Sequence, residues 1–185
     1  MQGKNNIKRI CVFCGSSAGA RPAYTEAAQK LGRIIVSRGM GLVYGGGGIG
    51  LMGVLADTVL QEKGKVIGVF PRALSAKEVA HRGLTELRLV RSMHERKAMM
   101  VELSDAFIAM PGGFGTFDEF FEIVTWAQLG IHAKPIGLLN VDGYFELLMA
   151  FINHALHEQF IKTKHRQLVF QSNDPEELLR MLVCQ

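Results

Sequence analysis

Ile7-Lys8-Arg9-Ile10-Cys11-Val12-Phe13-Cys14 runs into Gly15-Ser16-Ser17-Ala18-Gly19, and a helical pattern follows from Pro22 to Ser37. That pattern carries Ala27, Ala28, Leu31, Ile34 and Ile35 on one face. An apolar run, a glycine-rich turn and an amphipathic stretch make one β-loop-α unit. The unit recurs down the chain. Short apolar runs at Gly41–Tyr44, Lys65–Phe70, Glu86–Val90, Ala106–Met110 and Ile136–Leu139 read as strands. Helical periods occupy Leu51–Glu62, Ser92–Leu103, Thr116–Leu129, Tyr144–Gln159 and about Pro175–Leu182. Phe117, Phe120, Phe121 and Val124 mark the expected inner face of the Thr116 helix, and Phe145, Leu148, Met149 and Ile152 that of the next.

Strands that alternate with helices pair in parallel, because each return crossing needs a helix to cover a sheet face. Right-handed crossings put helices on both faces. The expected class is therefore α/β: a Rossmann-like, doubly wound, mostly parallel sheet, with residues 1–185 as a single nucleotide-binding domain. Such sheets bind ligands beyond the carboxyl ends of their strands, so the search for chemistry narrows to the strand-to-helix loops.

Composition agrees with a globular protein. Of 185 residues, 48% are hydrophobic and 21% charged, which excludes a disordered chain. A net charge of +4 suits a small anion and is too weak to argue for nucleic acid. Three cysteines are too few for a disulfide framework. Cys11-x-x-Cys14 lies on a strand, whereas a redox pair places its first thiol at a helix N-terminus; two small buried side chains are expected. The N-terminus enters a strand without a secretory pattern, and the longest uncharged stretch is interrupted by glycines. A cytoplasmic protein without membrane contact is expected.

Three loops are built from glycine and hydroxyl residues: Gly15–Gly19, Gly45-Gly46-Gly47-Gly48-Ile49-Gly50, and Pro111-Gly112-Gly113-Phe114-Gly115-Thr116, which opens into a helix. Glycine lets a ligand approach the backbone, and successive N–H groups at a helix N-terminus form an anion nest. Three such loops on one edge suggest a nucleotide-sized ligand, with Ser16, Gly46, Gly112, Gly113, Gly115 and Thr116 among its contacts. Gly45-x-Gly47-x-x-Gly50 matches a dinucleotide fingerprint but follows the second strand, and Val-Phe-Pro-Arg stands where an acidic ribose ligand would be. A nicotinamide dehydrogenase is thereby disfavoured. No phosphate-loop lysine motif is present, so phosphoryl transfer is unsupported.

Two charged clusters flank these loops: His94-Glu95-Arg96-Lys97 and Asp118-Glu119. A cationic pair facing a carboxylate across a phosphate nest can hold a nucleoside monophosphate and act at its sugar. Thr116-x-x-Glu119 also spells a capping box, as does Ser92-x-x-Glu95, and spacing alone favours Glu119 as a cap. The six histidines show no metal-ligand spacing.

Pro111-Gly112-Gly113-Phe114-Gly115-Thr116-Phe117-Asp118-Glu119 resembles the P-G-G-x-G-T-x-x-E signature of the Lonely Guy family, and Met93-His94-Glu95-Arg96-Lys97 resembles its companion M-x-x-R-K motif. Many relatives carry Glu where Asp118 stands. These proteins, formerly mislabelled as lysine decarboxylases, are cytokinin riboside 5'-monophosphate phosphoribohydrolases. The resemblance implies hydrolysis of the N-glycosidic bond of a nucleoside 5'-monophosphate to a free base and ribose 5-phosphate, with AMP as a further substrate. It implies Arg96 and Glu119 as the catalytic pair and Glu78, Arg96, Lys97, the Gly112–Asp118 loop and Thr125 as substrate contacts. It also implies a homodimer whose site borrows from the partner subunit, and no metal or organic cofactor. The alternative is a non-catalytic nucleotide or molybdenum-cofactor carrier on the same fold, which would not need both Arg96 and Glu119. Lysine decarboxylation is weaker still, since no pyridoxal-binding lysine stands out.

Overall fold

The computed structural model describes residues 6–72 and 80–184. Within them lie strands β1 (Arg9–Phe13), β2 (Gly41–Tyr44), β3 (Val66–Pro71), β4 (Glu86–Val90), β5 (Ala106–Ala109), β6 (Ile136–Leu139) and β7 (Val169–Ser172). The helices are α1 (Pro22–Ser37), α2 (Gly50–Gln61), α3 (Met93–Leu103), α4 (Phe114–Gln128), α5 (Glu146–His157), α6 (Thr163–Arg166) and α7 (Pro175–Val183). One sheet forms in the order β4-β3-β2-β1-β5-β6-β7, with every neighbouring pair parallel.

Side chains alternate across a strand, so Ile10 and Val12 of β1 enter one core while Cys11 and Phe13 enter the other. The first core is closed by Ala28, Leu31 and Ile35 of α1, Leu51, Leu55 and Val59 of α2, and Leu178, Leu179 and Leu182 of α7. The second is closed by Met100 of α3, Phe120 and Ile123 of α4, and Phe145 and Met149 of α5. Full burial of each large apolar side chain contributes about 1.5–3 kcal/mol. The arrangement is Rossmann-like and doubly wound, as the β-α alternation requires.

Strand order reverses between β1 and β5, and the loops leaving these two strands are tied together: the Gly15 N–H donates to the Pro111 carbonyl at 3.0 Å. A cleft of about 340 Å³ opens there, bounded by Ser16, Ser17, Tyr24, Leu51, Gly113 and Tyr144. The Tyr144 hydroxyl donates to the Gly112 carbonyl at 2.5 Å and supports the loop from the side of α5.

Three elements differ from the sequence reading. α4 starts at Phe114 with Gly113 as its cap residue, so Thr116 caps nothing and the expected Thr116–Glu119 capping box does not form. Helix entry is set by the glycine turn, with the cap three residues earlier than the hydroxyl signal suggests. The buried face of α4 accordingly holds Thr116, Glu119, Phe120 and Ile123, and Phe121 is exposed. β7 and the one-turn α6 were not expected. Val169-Phe170-Gln171-Ser172 is too short and too polar for period to reveal it, and its pairing with β6 is what makes it a strand. The stretch from Tyr144 begins α5 only at Glu146, after a 3₁₀ turn at Val141–Gly143.

Gly50 adopts φ +60°, and an added Cβ would stand 2.2 Å from the carbonyl carbon of Ser16. Gly39 also has a positive φ but faces open space. Gly39→Ala should cost about 1 kcal/mol, the left-handed strain alone. Gly50→Ala should cost roughly 2–4 kcal/mol, because it also separates α2 from the first glycine loop. Urea titration of both variants measures the difference.

Candidate active site

Arg96 sits in the first turn of α3, after Ser92 has capped that helix by accepting from the Glu95 N–H at 3.1 Å. The return arm of this capping box lands one residue earlier than expected, with the Glu95 carboxylate accepting from the Arg91 N–H at 2.8 Å. The cap aims Arg96 inward across the carboxyl ends of the strands. Its Nε donates to the Val69 carbonyl of β3 at 3.1 Å, and its Nη2 to the Gly45 carbonyl just past β2 at 3.1 Å. Nη1 lies 3.1 Å from a carboxylate oxygen of Glu119 in the second turn of α4. Only a glycine permits this at position 45, since an added Cβ would lie 1.9 Å from Nη2. A guanidinium carries five N–H donors. Three acceptors among the described residues fix its plane, and these leave one N–H on each terminal nitrogen for a ligand.

Both members of the pair are buried, with side chains 11% and 9% exposed. Burial pushes the Glu119 carboxyl up to about 7. The Arg96 cation, opposing this, is the next largest influence; Asp118 and Glu122 add to the rise and Lys97 works against it. Burial raises the thiol of Cys14, the residue after β1, and the charge of Glu119 adds to the rise. Cys11 and Cys14 are free and buried. They are packing groups, as their strand position suggested.

Lys97 stands beside Arg96 with its ammonium 3.1 Å from Asp118 and 3.0 Å from Glu122. Its partial burial would lower its pKa, but hydrogen bonds to Glu122 and Asp118 outweigh that and raise it. Glu122 was missed from sequence, although its i, i+4 spacing from Asp118 puts both carboxylates on one helical edge.

The cradle is the turn that opens α4. The first N–H groups of a helix have no intrahelical partner, and here the first such bond is Phe117 N–H to Gly113 O. The amides of Phe114, Gly115 and Thr116 are thus available to an anion, in the positive end of the helix dipole. Glu119 follows Thr116 by three residues, about 5 Å of helix axis. One helix therefore presents both an anion site and a buried carboxylate.

The structure gathers Arg96, Lys97, Gly112, Gly113, Gly115, Thr116, Asp118 and Glu119 at this edge, and Ser16 lines the adjoining cleft. Gly46 has φ +78°, and an added Cβ would lie 3.2 Å from Phe70. Thr125 is not part of the cluster: it is exposed, two turns further along α4. Glu78 lies outside the described residues. Among the described residues no group of three or more His, Cys, Asp or Glu side chains could hold a metal ion, and no helix is long and apolar enough to cross a membrane.

A doubly wound sheet with an anion cradle and a buried Arg–Glu pair at its carboxyl edge defines a nucleotide-acting α/β enzyme. Residues 52–182 match the family described as "Possible lysine decarboxylase". The chain is 51% identical over 179 residues to probable cytokinin riboside 5'-monophosphate phosphoribohydrolase LOGL9 of Oryza sativa subsp. japonica, covering 97% of this chain and 79% of that one. It is 49% identical to the corresponding LOG7 enzyme of Arabidopsis thaliana, covering 97% and 82%. Among solved structures, the molybdenum cofactor binding protein of Rippkaea orientalis aligns with a TM-score of 0.70 at 23% identity, covering 94% of both chains. The carrier protein of Chlamydomonas reinhardtii aligns at 0.69 and 20%, covering 96% and 99%. At those identities the likeness is one of fold. The chain belongs to the Lonely Guy family of cytokinin riboside 5'-monophosphate phosphoribohydrolases.

The raised pKa of Glu119 has a stability consequence. The folded state holds this proton more tightly than the unfolded chain, so between about 4.5 and about 7 it binds more protons and stability falls as pH rises. Glu119→Gln removes that titration. The difference in thermal midpoint, variant minus wild type, should become more positive from pH 5 to pH 8; a difference constant across that range contradicts the assignment.

Proposed function

We propose that the chain hydrolyses the C1'–N bond of nucleoside 5'-monophosphates, cytokinin riboside monophosphates and AMP among them, releasing the base and ribose 5-phosphate. The observation that carries this reading is the buried Arg96–Glu119 pair one helical turn beyond the glycine cradle. The 5'-phosphate sits on the amides of Phe114, Gly115 and Thr116. The ribose then spans the distance along α4 and brings its anomeric carbon to Glu119. Cleavage builds positive charge on the sugar, as in glycoside hydrolysis. The Glu119 carboxylate stabilises that charge in a site shielded from water, where such interactions are strongest, and orients the attacking water or takes its proton. Arg96 stays protonated. It offers its two spare N–H groups to the negative charge of the departing base and limits the rise of the Glu119 pKa, while water delivers the proton to the base. Phosphate binding supplies remote binding energy that holds the sugar for attack.

The carrier alternative draws on fold likeness alone, and a carrier has no need of a buried Arg–Glu pair. The same proposal makes residues 1–185 one catalytic domain, kept in the cytoplasm, where the free thiols of the Cys11-x-x-Cys14 pair stay reduced. It also includes a second copy of the chain. Phe121, Thr125 and Leu129 recur at i, i+4 and i+8 on the outer edge of α4, and all three are exposed. A second copy docked on that stripe buries the two apolar side chains and carries Thr125 toward the neighbouring site.

Three outcomes are expected. Glu119→Gln and Arg96→Ala should each lower kcat/KM for AMP by 10²-fold or more, by the scale of losing one preorganised charged group, as read by chromatography of released adenine; adenosine should be a poor substrate throughout. Glu119 acts as the carboxylate, so kcat/KM should rise with pH through about 7 and then level off. Phe121→Glu with Leu129→Glu should yield a monomer by light scattering, with activity lost alongside the dimer.

A further inference from the structure

The turn that receives Arg96 cannot hold itself in shape. Gly45-Gly46-Gly47-Gly48 has four consecutive glycines and no side chain with which to anchor. Such a stretch loses more conformational freedom on ordering than any other sequence. Yet its first carbonyl is one of the three acceptors that orient the guanidinium. Something outside the turn must fix it.

Residues 80–83, which lead into β4, do so through one bridge to the turn and one side-chain tie to α2. Ala80 forms an antiparallel bridge with Gly47. The His81 N–H donates to the Gly46 carbonyl at 3.0 Å. The His81 side chain, 12% exposed, then ties this segment to α2: Nε2 lies 2.9 Å from the Asp57 carboxylate. Its other nitrogen is also occupied, since Nδ1 accepts from the Gly83 N–H at 3.0 Å. A ring that accepts at Nδ1 must carry its proton at Nε2. The tautomer is thus fixed by Gly83, and the N–H points at Asp57. Asp57 in turn belongs to the helix that begins two residues after the glycine turn, so turn, strut and helix form a closed frame.

We infer that His81, held by Asp57, is a positioning residue for Arg96: it braces the four-glycine turn so that the Gly45 carbonyl stays where the guanidinium needs it. Among the described residues His81 bonds to Asp57, Gly83 and Gly46, none of which is Arg96, Glu119 or part of the phosphate cradle. Loosening the frame therefore disturbs the charge facing the sugar and leaves phosphate capture intact. This rests on the reading of Arg96 and Glu119 as the catalytic pair.

The test is steady-state kinetics on AMP for His81→Ala, Asp57→Ala and Asp57→Asn, with Arg96→Ala alongside. The first two should lower kcat by about tenfold, the scale of a modest misplacement at a reacting centre, with KM within about twofold of wild type. Asp57→Asn keeps a carbonyl oxygen to accept from Nε2 and should recover most of the loss. A crystal structure of His81→Ala should show the Arg96 Nη2 to Gly45 carbonyl contact lengthened or lost. Unchanged kcat in His81→Ala overturns the inference, as does a rise in KM at constant kcat, or an Asp57→Asn variant as impaired as Asp57→Ala. If Arg96→Ala itself remains active, the catalytic reading fails instead, so the two failures are distinguishable.

Discussion

Two opposite charges are placed inside a protein at the edge of a parallel sheet, and much of the local architecture exists to make that tolerable. An isolated buried ion costs several kcal/mol, and removing one member of a buried pair costs about 3–5 kcal/mol. Arg96 is tolerated because the carbonyls at the ends of β2 and β3 accept from it and Glu119 balances it. Glu119 is tolerated only in part, and the rise of its pKa to about 7 is the residue of that conflict. The same conflict is useful. On the proposed reading, a carboxylate this poorly hydrated has most to gain from the cation that forms on the sugar beside it.

The parallel topology explains why the pair can be assembled at all. Parallel strands end at one edge with carbonyls that neighbouring strands do not all use, and three of the site's components come from that edge. β2 and β3 supply acceptors, the loop after β5 supplies the cradle, and α3 and α4 supply the charged side chains. Lys97 bridges Asp118 and Glu122 and so locks α3 to α4. The surface pairs elsewhere, such as Arg21–Asp142 at 3.6 Å, are exposed and of the kind worth about 0–1 kcal/mol.

Glycine does two different things here. At Gly45 it clears space for a side chain, and at Gly50 it lets two loops meet backbone to backbone. Both leave the chain underdetermined locally, and the missing order is supplied by contacts distant in sequence. His81 is the clearest case, since it is separated from Asp57 by 24 positions and has no sequence motif that would mark it.

Period and turn chemistry were enough to read the β-α alternation, the parallel sheet, the glycine loops and the two charged clusters, because each is a local pattern in which residue type reports backbone conformation. Arg96 and Glu119 came forward as a pair only through the resemblance to the Lonely Guy motifs. What period and turn chemistry could not decide was the role of Glu119, which the spacing from Thr116 made a cap; where α4 begins depends on the glycine turn and on burial against the sheet. Strand β7 escaped for the same reason, since four mixed residues become a strand only by pairing with β6. Lys97's two partners and the brace at His81 also waited on the tertiary structure. The linear pattern records which face a residue occupies, whereas which charges meet, and at what cost in hydration, is fixed only when separate elements pack together.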